Sequence, residues 1–366
     1  MESKIRVGIL GATGMVGQRF VQLLENHPQF EVTALAASDQ SIGKQFEEAC
    51  SWRLVTPLPE AVRSLQVQAP QPPLDCDVIF SSLPSSIAGD IETSFAVAGY
   101  PVISNSSSHR MDSHVPLLIP EVNPEQLGMI GRQRQRFDCS GGFIVANPNC
   151  VVIVMAMALA PLHRQFTVKS IVATTLQSIS GAGYPGVASM DITDNVLPFI
   201  AQEEEKIENE TRKILGQCNS ESVEYAQFGV SAQCHRVNVQ DGHLVALRVG
   251  FEQKPSISEV KHSLASFCGE PQRLGLFSAP KHPLIVREES DRPQPRLDRD
   301  AGKGMSITVG RIQKDKVLDF RLVALGHNTI RGAAGAALLN AELLLARGYF
   351  DKQNVLDSPE AKRRPA

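Results

Sequence analysis

Residues 4–27, KIRVGILGATGMVGQRFVQLLENH, decide the fold of the first half of the chain. A short apolar run typical of a buried strand leads into a turn with Gly8, Gly11, Gly14 and Gly17 at three-residue intervals, and a helical pattern follows. Glycines at this spacing are a variant of the dinucleotide fingerprint, because they permit a tight turn and let helix N-terminal amides approach a pyrophosphate. We therefore expect a nucleotide site here, whereas the turn alone leaves the reaction open.

Further strand patterns alternate with helical ones downstream of this turn. The predicted strands are FEVTALAAS (30–38), CDVIFSSLP (76–84) and YPVISNSS (100–107), and the predicted helix between the last two is SIAGDIETSFAVAG (86–99). Alternation of this kind predicts a Rossmann-like, doubly wound parallel sheet up to about residue 149. Longer strand patterns follow residue 150, so we expect a second domain of the α+β class with an antiparallel sheet.

The overall composition limits the kinds of molecule that this protein is expected to bind. The chain has 366 residues, enough for two domains, and its 36 basic and 39 acidic residues give no electrostatic footprint for nucleic acid or an anionic membrane. Its seven cysteines include no C-x-x-C pair, and no signal-peptide or membrane-spanning stretch is evident, so we expect a cytoplasmic protein with reduced thiols and no metal site. The basic run GRQRQRF (131–137) is expected to be a solvated surface loop.

The end of the second predicted strand bears on the choice of cofactor. Ser38 lies 21 residues beyond Gly17, where NAD enzymes carry an acidic residue that binds the ribose 2′-hydroxyl. A serine at that position, with Lys44 nearby, suits a 2′-phosphate and favours NADP(H). Asp39 leaves NAD open, and the segment is also compatible with a polar loop.

A cysteine stands between a turn and an apolar run in NPNCVVIVMAMALAPL (147–162). Asn149 is a candidate N-cap, which would put Cys150 in the first turn of the following helix. A thiol there lies at the positive end of the helix dipole, which favours the thiolate. Taken alone, the local sequence favours a buried structural cysteine over a reactive one.

A hairpin is predicted over VSAQCHRVNVQDGHLVALRVGF (230–251), because Asp-Gly is a strong two-residue turn signal. In that register Gln240 faces His243. The predicted polar face then carries Arg236, Asn238, Gln240 and His243.

Six motifs occur together and in order along the chain: GILGATGMVG, NPNC, LQSISGAGYPG, EEEK, CHRV with DGH, and NTIRGAAG. As a set they resemble the aspartate-β-semialdehyde dehydrogenases, particularly the archaeal and fungal branch, over nearly the whole chain. The resemblance implies an NADP-binding domain of residues 1–149 plus 327–366 and a catalytic and dimerisation domain of residues 150–326.

The resemblance also assigns roles residue by residue. It implies catalytic roles for Cys150 as nucleophile, His243 as acid/base and Gln177 as the glutamine beside the substrate. Implied substrate contacts are Arg236, Glu203, Lys206, Arg110 and Asn149. Cofactor contacts, implied by the resemblance or by the patterns above, are Gly11, Thr13, Gly14, Met15, Val16, Ser38, Lys44, Ser81, Ser180, Gly183 and Asn328. From the residues alone, Glu203 and Lys206 are expected to form an i, i+3 pair on a solvated helix, and only the resemblance gives them a role in the site.

The activity implied is reversible, NADPH-dependent reductive dephosphorylation of L-aspartyl-4-phosphate to L-aspartate 4-semialdehyde through a cysteine thioester. This step belongs to lysine, threonine, methionine and isoleucine biosynthesis, and a homodimer or homotetramer is expected. Two alternatives stay open: malonyl-CoA reductase or another acyl-thioester reductase on the same fold, and a non-catalytic NADP-binding redox sensor. The sensor would not need the thiol or the histidine, and this chain keeps both.

Overall fold

The computed structural model describes residues 3–137, 141–219 and 222–350. The chain forms two compact units. The first takes the chain up to Pro116, then Leu127–Asn147 and the chain from Ala337 onward; the second takes Leu117–Gln126 and Pro148–Ala336.

A six-stranded parallel sheet forms the first unit. Its strands are β1 (Ile5–Leu10), β2 (Phe30–Ala36), β3 (Val67–Gln68), β4 (Val78–Ser81), β5 (Pro101–Ser104) and β6 (Phe143–Ala146), in the order β3-β2-β1-β4-β5-β6. Its first five helices are α1 (Met15–Leu24), α2 (Phe46–Ala49), α3 (Glu60–Arg63), α4 (Ser85–Val97) and α5 (Ile130–Arg136). The predicted doubly wound fold is confirmed, and its strand order reverses between β1 and β4, where such sheets bind ligands.

The glycine turn has the conformation that its sequence predicts. Gly11 has φ +75°, and a Cβ atom on it would lie 2.9 Å from the carbonyl oxygen of Ser82. Both left-handed backbone and the close approach of the neighbouring chain exclude a side chain there. The turn is fixed to the sheet because the amides of Gly11 and Ala12 donate to the carbonyl of Ala36 at 2.9 and 3.1 Å.

The prediction of a surface loop for the basic run 131–137 is wrong, because this run lies in helix α5. The reason is Gln133, which is buried and ties the helix to β6. Its side chain accepts from the amide of Ile144 at 2.6 Å and donates to the carbonyl of the same residue at 2.9 Å. The many charged residues of this run give no indication that Gln133 is buried and hydrogen-bonded to β6.

The second unit contains a long helix and a second six-stranded sheet. Its elements are α6 (Cys150–Phe166), β7 (Val168–Gln177), α7 (Ser189–Ile192), α8 (Glu203–Ile214), β8 (Gln217–Cys218), β9 (Val223–Glu224), β10 (Gly229–Arg236), β11 (His243–Phe251), α9 (Ile257–Ala265), α10 (Glu270–Leu274), β12 (Leu284–Val286), α11 (Pro295–Asp298), β13 (Ile307–Lys314) and β14 (Phe320–Gly326). A π-helix (Ile330–Ala334) follows, and α12 (Gly335–Ala346) belongs to the first unit from Ala337 on. The sheet order is β10-β7-β11-β14-β13-β12, and β8 pairs with β9. The α+β class is confirmed, but the sheet is mixed, since β10 is parallel to β7 and β12 to β13.

The predicted hairpin is wrong. A turn does form at Asp241-Gly242, where Gly242 has φ 104°, but β7 lies between β10 and β11. Residues 237–240 cross the end of β7, where the amide of Val237 donates to the carbonyl of Gln177 and the amide of Ile179 to that of Val239. The Asp-Gly signal located the turn, but a turn does not select the partner strand.

Helix α6 forms the core of the second unit. All twelve residues from Val151 to Leu162 are buried, which explains a sequence that is apolar on every side of the helix. Helix α6 packs on β7, β11 and β14, on one face of the mixed sheet. The first residue of this rigid helix is Cys150.

The units differ from the predicted domain boundaries at residues 148–149, which lie in the second unit, and at two longer segments. These segments, residues 117–126 and 327–336, also belong to the second unit. The ion pair between Arg331 and Glu121, both fully buried, at 2.6 Å holds these two segments together, and the guanidinium of Arg164 donates to the carbonyl of Val122. The other predicted boundaries stay predictions.

Candidate active site

The N-terminus of α6 holds Cys150 in a defined position. Asn149 is the N-cap, with φ −54° and ψ 141°, and its side-chain oxygen accepts from the amides of Val151 and Val152 at 2.9 and 3.3 Å. The predicted cap is therefore present, and Cys150 is a partly exposed thiol in the first helical turn. The helix dipole favours a negatively charged sulfur at this position.

Three predicted residues align across adjacent strands of the mixed sheet. Arg236 on β10 pairs with Gln177 on β7. On the other side of β7, the pairing of Leu244 with Leu176 places His243 opposite Gln177. Directly opposed residues point to the same face of a sheet. Arg236, Gln177 and His243 thus form one row at the end of three strands, and all three are buried.

A tight loop covers two members of this row. Residues Ile179–Ala182 form a 3-10 turn, and a Cβ atom on Gly181 would lie 2.8 Å from Nη1 of Arg236 and 2.9 Å from Cε1 of His243. The guanidinium of Arg236 also donates to the carbonyl of Ser178 at 2.9 Å. The absence of a side chain at Gly181 lets the loop backbone contact both functional groups.

Arg236 lies in a site that contains opposite charge. Burial lowers the pKa of its guanidinium, and the charges of Cys150 and Glu203 oppose that shift. The same interaction stabilises a thiolate at Cys150, since opposite charges favour each other's ionised forms. Arg236 is therefore suited both to hold a carboxylate and to favour the reactive form of the thiol.

His243 is fully buried and electrically neutral at physiological pH. Burial, followed by the charges of Arg236 and His327, lowers its pKa to about 3. Its Nδ1 accepts from the amide of Ser178 at 3.1 Å, so the ring proton is on Nε2. Among the residues that the structure describes, Nε2 has no hydrogen-bond partner. The ring thus offers an N–H donor that is available to a substrate oxygen.

The pKa of His243 predicts how acid affects stability. An unfolded histidine titrates near pH 6.5, whereas this buried ring stays neutral down to about pH 3. The contribution of the neutral ring to the free energy of unfolding is therefore present above pH 6.5. It is lost as the pH falls towards 3, because in that interval only the unfolded state binds the proton. Between pH 7.5 and 5 we expect His243 to remove about 2 kcal/mol of the free energy of unfolding.

Urea unfolding at the two pH values measures this loss in the native chain and in His243→Asn. The variant should lose about 2 kcal/mol less over the same interval. His262→Asn is the control, because that histidine lies on α9 outside the row. Equal losses in the native chain and in His243→Asn would contradict a neutral buried ring.

Helix α8 brings carboxylates to the N-cap. Glu203 is buried, accepts from the side-chain nitrogen of Asn149 at 2.9 Å, and lies 3.9 Å from the ammonium of Lys206. The interpretation of Glu203 as part of a solvated pair is therefore wrong. Glu210, which the sequence did not single out, accepts from the backbone amide of Asn149 at 2.7 Å.

Two further predicted residues lie in a hydrogen-bonded chain beside His243. The side-chain oxygen of Asn328 accepts from the amide of Gly242 at 2.9 Å, and its nitrogen donates to the hydroxyl of Ser180 at 2.8 Å. Gly183 follows the 3-10 turn with φ 73° and has open space around it. These contacts place Ser180 and Asn328 together within the second unit.

The first unit brings the predicted nucleotide residues to the carboxyl ends of its strands. Thr13, Gly14, Met15 and Val16 form the start of α1, where Gly14 is the N-cap and supplies no side-chain cap. Ser81 ends β4, in register with Leu10 at the end of β1. The α1 amides are thus available to an anion at the point where the strand order reverses.

The segment after β2 lies beside the glycine turn, since both contact Ala36. Ser38, Asp39 and Lys44 are exposed there, as a contact to the ribose of a bound nucleotide requires. Arg110, the predicted phosphate ligand, is mostly buried and donates to the carbonyls of Asn147 and Asn105 at 3.0 and 2.8 Å. Arg110 therefore anchors the chain ahead of the NPNC motif.

Gly332, Gly181 and Glu210 are parts of the site that sequence reasoning missed. Gly332 lies in the π-helix, and a Cβ atom on it would lie 2.7 Å from the Cβ of Cys150. Their only signal in the sequence is the motif in which each lies. Gly181 belongs to LQSISGAGYPG, Gly332 to NTIRGAAG, and Glu210 to the acidic run after EEEK. None of these patterns states which side chain the residue contacts.

Comparisons with known proteins define the class. Residues 6–130 match the family model "Semialdehyde dehydrogenase, NAD binding domain", and residues 159–331 match "Semialdehyde dehydrogenase, dimerisation domain". The two domains are thus those of a semialdehyde dehydrogenase.

Full-length relatives narrow this class. The aspartate-semialdehyde dehydrogenase of Methanothermobacter thermautotrophicus is 50% identical over 344 residues, 93% of this chain and 99% of the relative. That of Archaeoglobus fulgidus is 50% identical over 340 residues, 93% and 97% of the two chains. A crystal structure of the Candida albicans enzyme with NADP superimposes with a TM-score of 0.87 at 42% identity, over 95% of this chain and 100% of that one. The chain belongs to the aspartate-semialdehyde dehydrogenase family.

No helix among the described residues is long and apolar enough to cross a bilayer. The six cysteines among the described residues form no disulfide with one another, and Cys139 lies outside the described residues.

Proposed function

We propose that this chain is an NADP(H)-dependent oxidoreductase that converts L-aspartyl-4-phosphate to L-aspartate 4-semialdehyde and phosphate, and catalyses the reverse reaction. This is a step in lysine, threonine, methionine and isoleucine biosynthesis. The observation that carries the proposal is the position of Cys150 in the first turn of α6, directly after the capping residue Asn149. Arg236, Gln177 and His243, the residues with implied substrate and catalytic roles, form a buried row in the same unit.

The nucleotide site fits the pyrophosphate of NADP(H). The amides at the start of α1 have no side-chain cap, and the left-handed Gly11 lets the backbone approach a ligand. Thr13 to Val16 and Ser81 would hold the pyrophosphate side, and Ser38 with Lys44 the 2′-phosphate. Ser180, Gly183 and Asn328 would contact the nicotinamide side. When bound, NADPH supplies the hydride that reduces the acyl group.

The chain's own residues provide the covalent chemistry. The thiolate of Cys150 attacks the acyl carbon, a carbon–sulfur bond forms, and the phosphate leaves with the electrons of the broken carbon–oxygen bond. Lys206, 3.9 Å from Glu203, offsets the charge of the leaving phosphate. After reduction the carbon–sulfur bond of the thiohemiacetal breaks, which releases the aldehyde and returns the thiolate.

His243 acts at the carbonyl oxygen in this scheme. The neutral ring carries its proton on Nε2, so it donates a hydrogen bond to the oxygen as that atom gains negative charge. Arg236 grips the α-carboxylate with two parallel hydrogen bonds, and Gln177 beside it orients the acyl group. Asn149 joins the substrate end of the site to Glu203, which receives the substrate's amino group.

A single assay tests the activity. Purified protein is mixed with aspartate semialdehyde, NADP and phosphate, and the absorbance of reduced nicotinamide is followed; NAD replaces NADP in a parallel sample. We expect turnover that depends on phosphate and is faster with NADP. Turnover of malonyl-CoA with NADPH but none here would point to the other reductase, and no turnover of either substrate would point to a sensor.

Glu203 separates the two reductases at the level of the site. Aspartate semialdehyde has an amino group that Glu203 would bind, whereas malonyl-CoA has none. We therefore expect Glu203→Gln to raise the KM for aspartate semialdehyde roughly 10- to 100-fold, because one charged hydrogen bond is lost. Glu205→Gln is the matched control, since Glu205 is exposed on the same helix. An unchanged KM in Glu203→Gln would remove the amino-group contact from the proposal.

Two copies of the chain pair through the second unit in this proposal. One face of the mixed sheet packs on α6, while Val172 and Leu176 are 41% and 37% exposed on the other. An apolar sheet face of this kind suits a second copy. Sedimentation equilibrium should give two or four times the chain mass of 39.8 kDa. The free cysteines agree with a reducing, cytoplasmic location.

A further inference from the structure

The helix that carries Cys150 has an incomplete cap within its own sequence. In a capping box, an acid or amide side chain at the third helical position accepts from the backbone amide of the N-cap residue. In α6 that position is Val152, which has no acceptor. The amide of Asn149 therefore needs an acceptor from another part of the chain.

Glu210 supplies that acceptor from α8. Its Oε2 lies 2.7 Å from the amide nitrogen of Asn149, and Glu210 is 2% exposed. Glu203, seven residues earlier on the same helix, accepts from the side-chain nitrogen of Asn149. The side-chain oxygen of Asn149 accepts from two α6 amides. Its backbone amide, side-chain nitrogen and side-chain oxygen are therefore all hydrogen-bonded, which fixes the orientation of the residue.

We propose that Glu210 is a positioning residue for the thiol chemistry: by completing the cap of α6 from a neighbouring helix it fixes the backbone that carries Cys150. Its negative charge at the helix N-terminus also opposes the thiolate that Arg236 favours. The inference rests on the proposed function only in so far as Cys150 is the nucleophile.

Charged groups on each element around the thiol contribute to its ionisation. On α8, Glu203 and Glu210 contact Asn149, the residue before Cys150, and Lys206 lies 3.9 Å from Glu203. Arg236 lies on β10 and the neutral His243 on β11, and Arg331 of the π-helix is held in a buried ion pair. Arg236 and Lys206 favour a thiolate, whereas the two carboxylates oppose it. Removing the charge of Glu210 while keeping its acceptor should therefore make the thiol more reactive at low pH, not less.

Two variants separate the acceptor from the charge. Glu210→Gln keeps an oxygen that accepts from Asn149 and removes the charge, whereas Glu210→Ala removes both. The rate of Cys150 alkylation by iodoacetamide is measured from pH 5 to 9 by mass spectrometry of the Cys150 peptide, together with kcat and KM. Glu205→Gln is the control on the exposed side of α8.

We expect Glu210→Gln to move the alkylation midpoint about 0.5–1 pH unit lower with kcat within about threefold of the native value, as removal of a nearby like charge predicts. Glu210→Ala should lower kcat at least about tenfold with little change in KM, since a displaced nucleophile loses alignment. If Glu210→Ala does not fold, the shift in Glu210→Gln still decides the matter.

Native alkylation profiles in both variants would overturn the inference, and so would a kcat in Glu210→Gln as low as that in Glu210→Ala. The alkylation assay needs no substrate. A shifted profile in a protein without semialdehyde turnover would therefore uphold the role of Glu210 while the proposed function fails.

Discussion

Cys150→Ser should lower kcat/KM for aspartate semialdehyde by roughly a thousandfold or more, because a serine hydroxyl is hardly ionised near neutral pH and is a far weaker nucleophile. The structure adds two reasons why the thiol is specifically suited to this position. The amides at the start of α6 and the charge of Arg236 favour a thiolate, and neither lowers the pKa of an alcohol far enough to replace it. Initial rates of nicotinamide reduction measure the loss.

The control for this substitution is Cys268→Ser, because Cys268 is an exposed cysteine in no disulfide and lies outside the buried row and the N-terminus of α6. It should retain activity within about twofold, as surface substitutions usually do. Full activity in Cys150→Ser would remove covalent catalysis from the mechanism. Circular dichroism of both variants separates a chemical defect from misfolding.

A second readout tests the covalent intermediate itself. Without phosphate, the oxidation of aspartate semialdehyde stops at the thioester, since nothing else displaces the sulfur efficiently. The native protein should then release one equivalent of reduced nicotinamide per site in a rapid burst, and the Cys150 peptide should carry an acyl group. Cys150→Ser should show neither signal.

The first unit was predictable because its determinants are local. The glycine turn, the apolar strand before it and the amphipathic helix after it each lie within a few residues, and parallel pairing follows from the alternation of strands and helices. The strands that sequence reasoning missed are β3, with two residues, and β6, with four. Strands this short have too few residues to show a period.

The second unit was predictable only in part because its pairings are distant in sequence. The Asp-Gly turn was identified, but β10 pairs with β7, about 60 residues earlier in the chain, as in the pair Arg236 and Gln177. Arg236 and His243 still lie in one row, but not through the predicted hairpin. Each aligns with Gln177, from opposite sides of β7. The family resemblance identified Arg236, Gln177 and His243, whereas their arrangement in one row follows from the strand pairing of the structure.

The acidic face of α8 shows the same limit at the level of side chains. Glu203 and Glu210 occur in a run of charge that is typical of a solvated helix, and both are buried. Their burial depends on the neighbouring Asn149, whose amides need acceptors. Sequence periodicity cannot indicate a buried carboxylate whose partner is on another helix.

Gly332→Ala should lower kcat about a hundredfold while KM changes little, the second largest effect expected. A Cβ atom on residue 332 would lie 2.7 Å from the Cβ of Cys150 and 3.2 Å from its Cα. Neither atom can rotate away, so either the π-helix or the start of α6 must move. A displacement of about 1 Å at a reacting atom costs roughly that factor.

The π-helix has little freedom to absorb the new methyl group. Its backbone is held because the amide of Gly332 donates to the carbonyl of His327 at 2.9 Å, and the adjacent Arg331 is fully buried in its ion pair with Glu121. Helix α6 must therefore yield at its first residue, which carries the sulfur. The control is Gly229→Ala on β10, where the new methyl group would meet open space. That variant should keep native kinetics, whereas native kinetics in Gly332→Ala would show that Cys150 tolerates displacement and that the contact with the π-helix does not position the nucleophile.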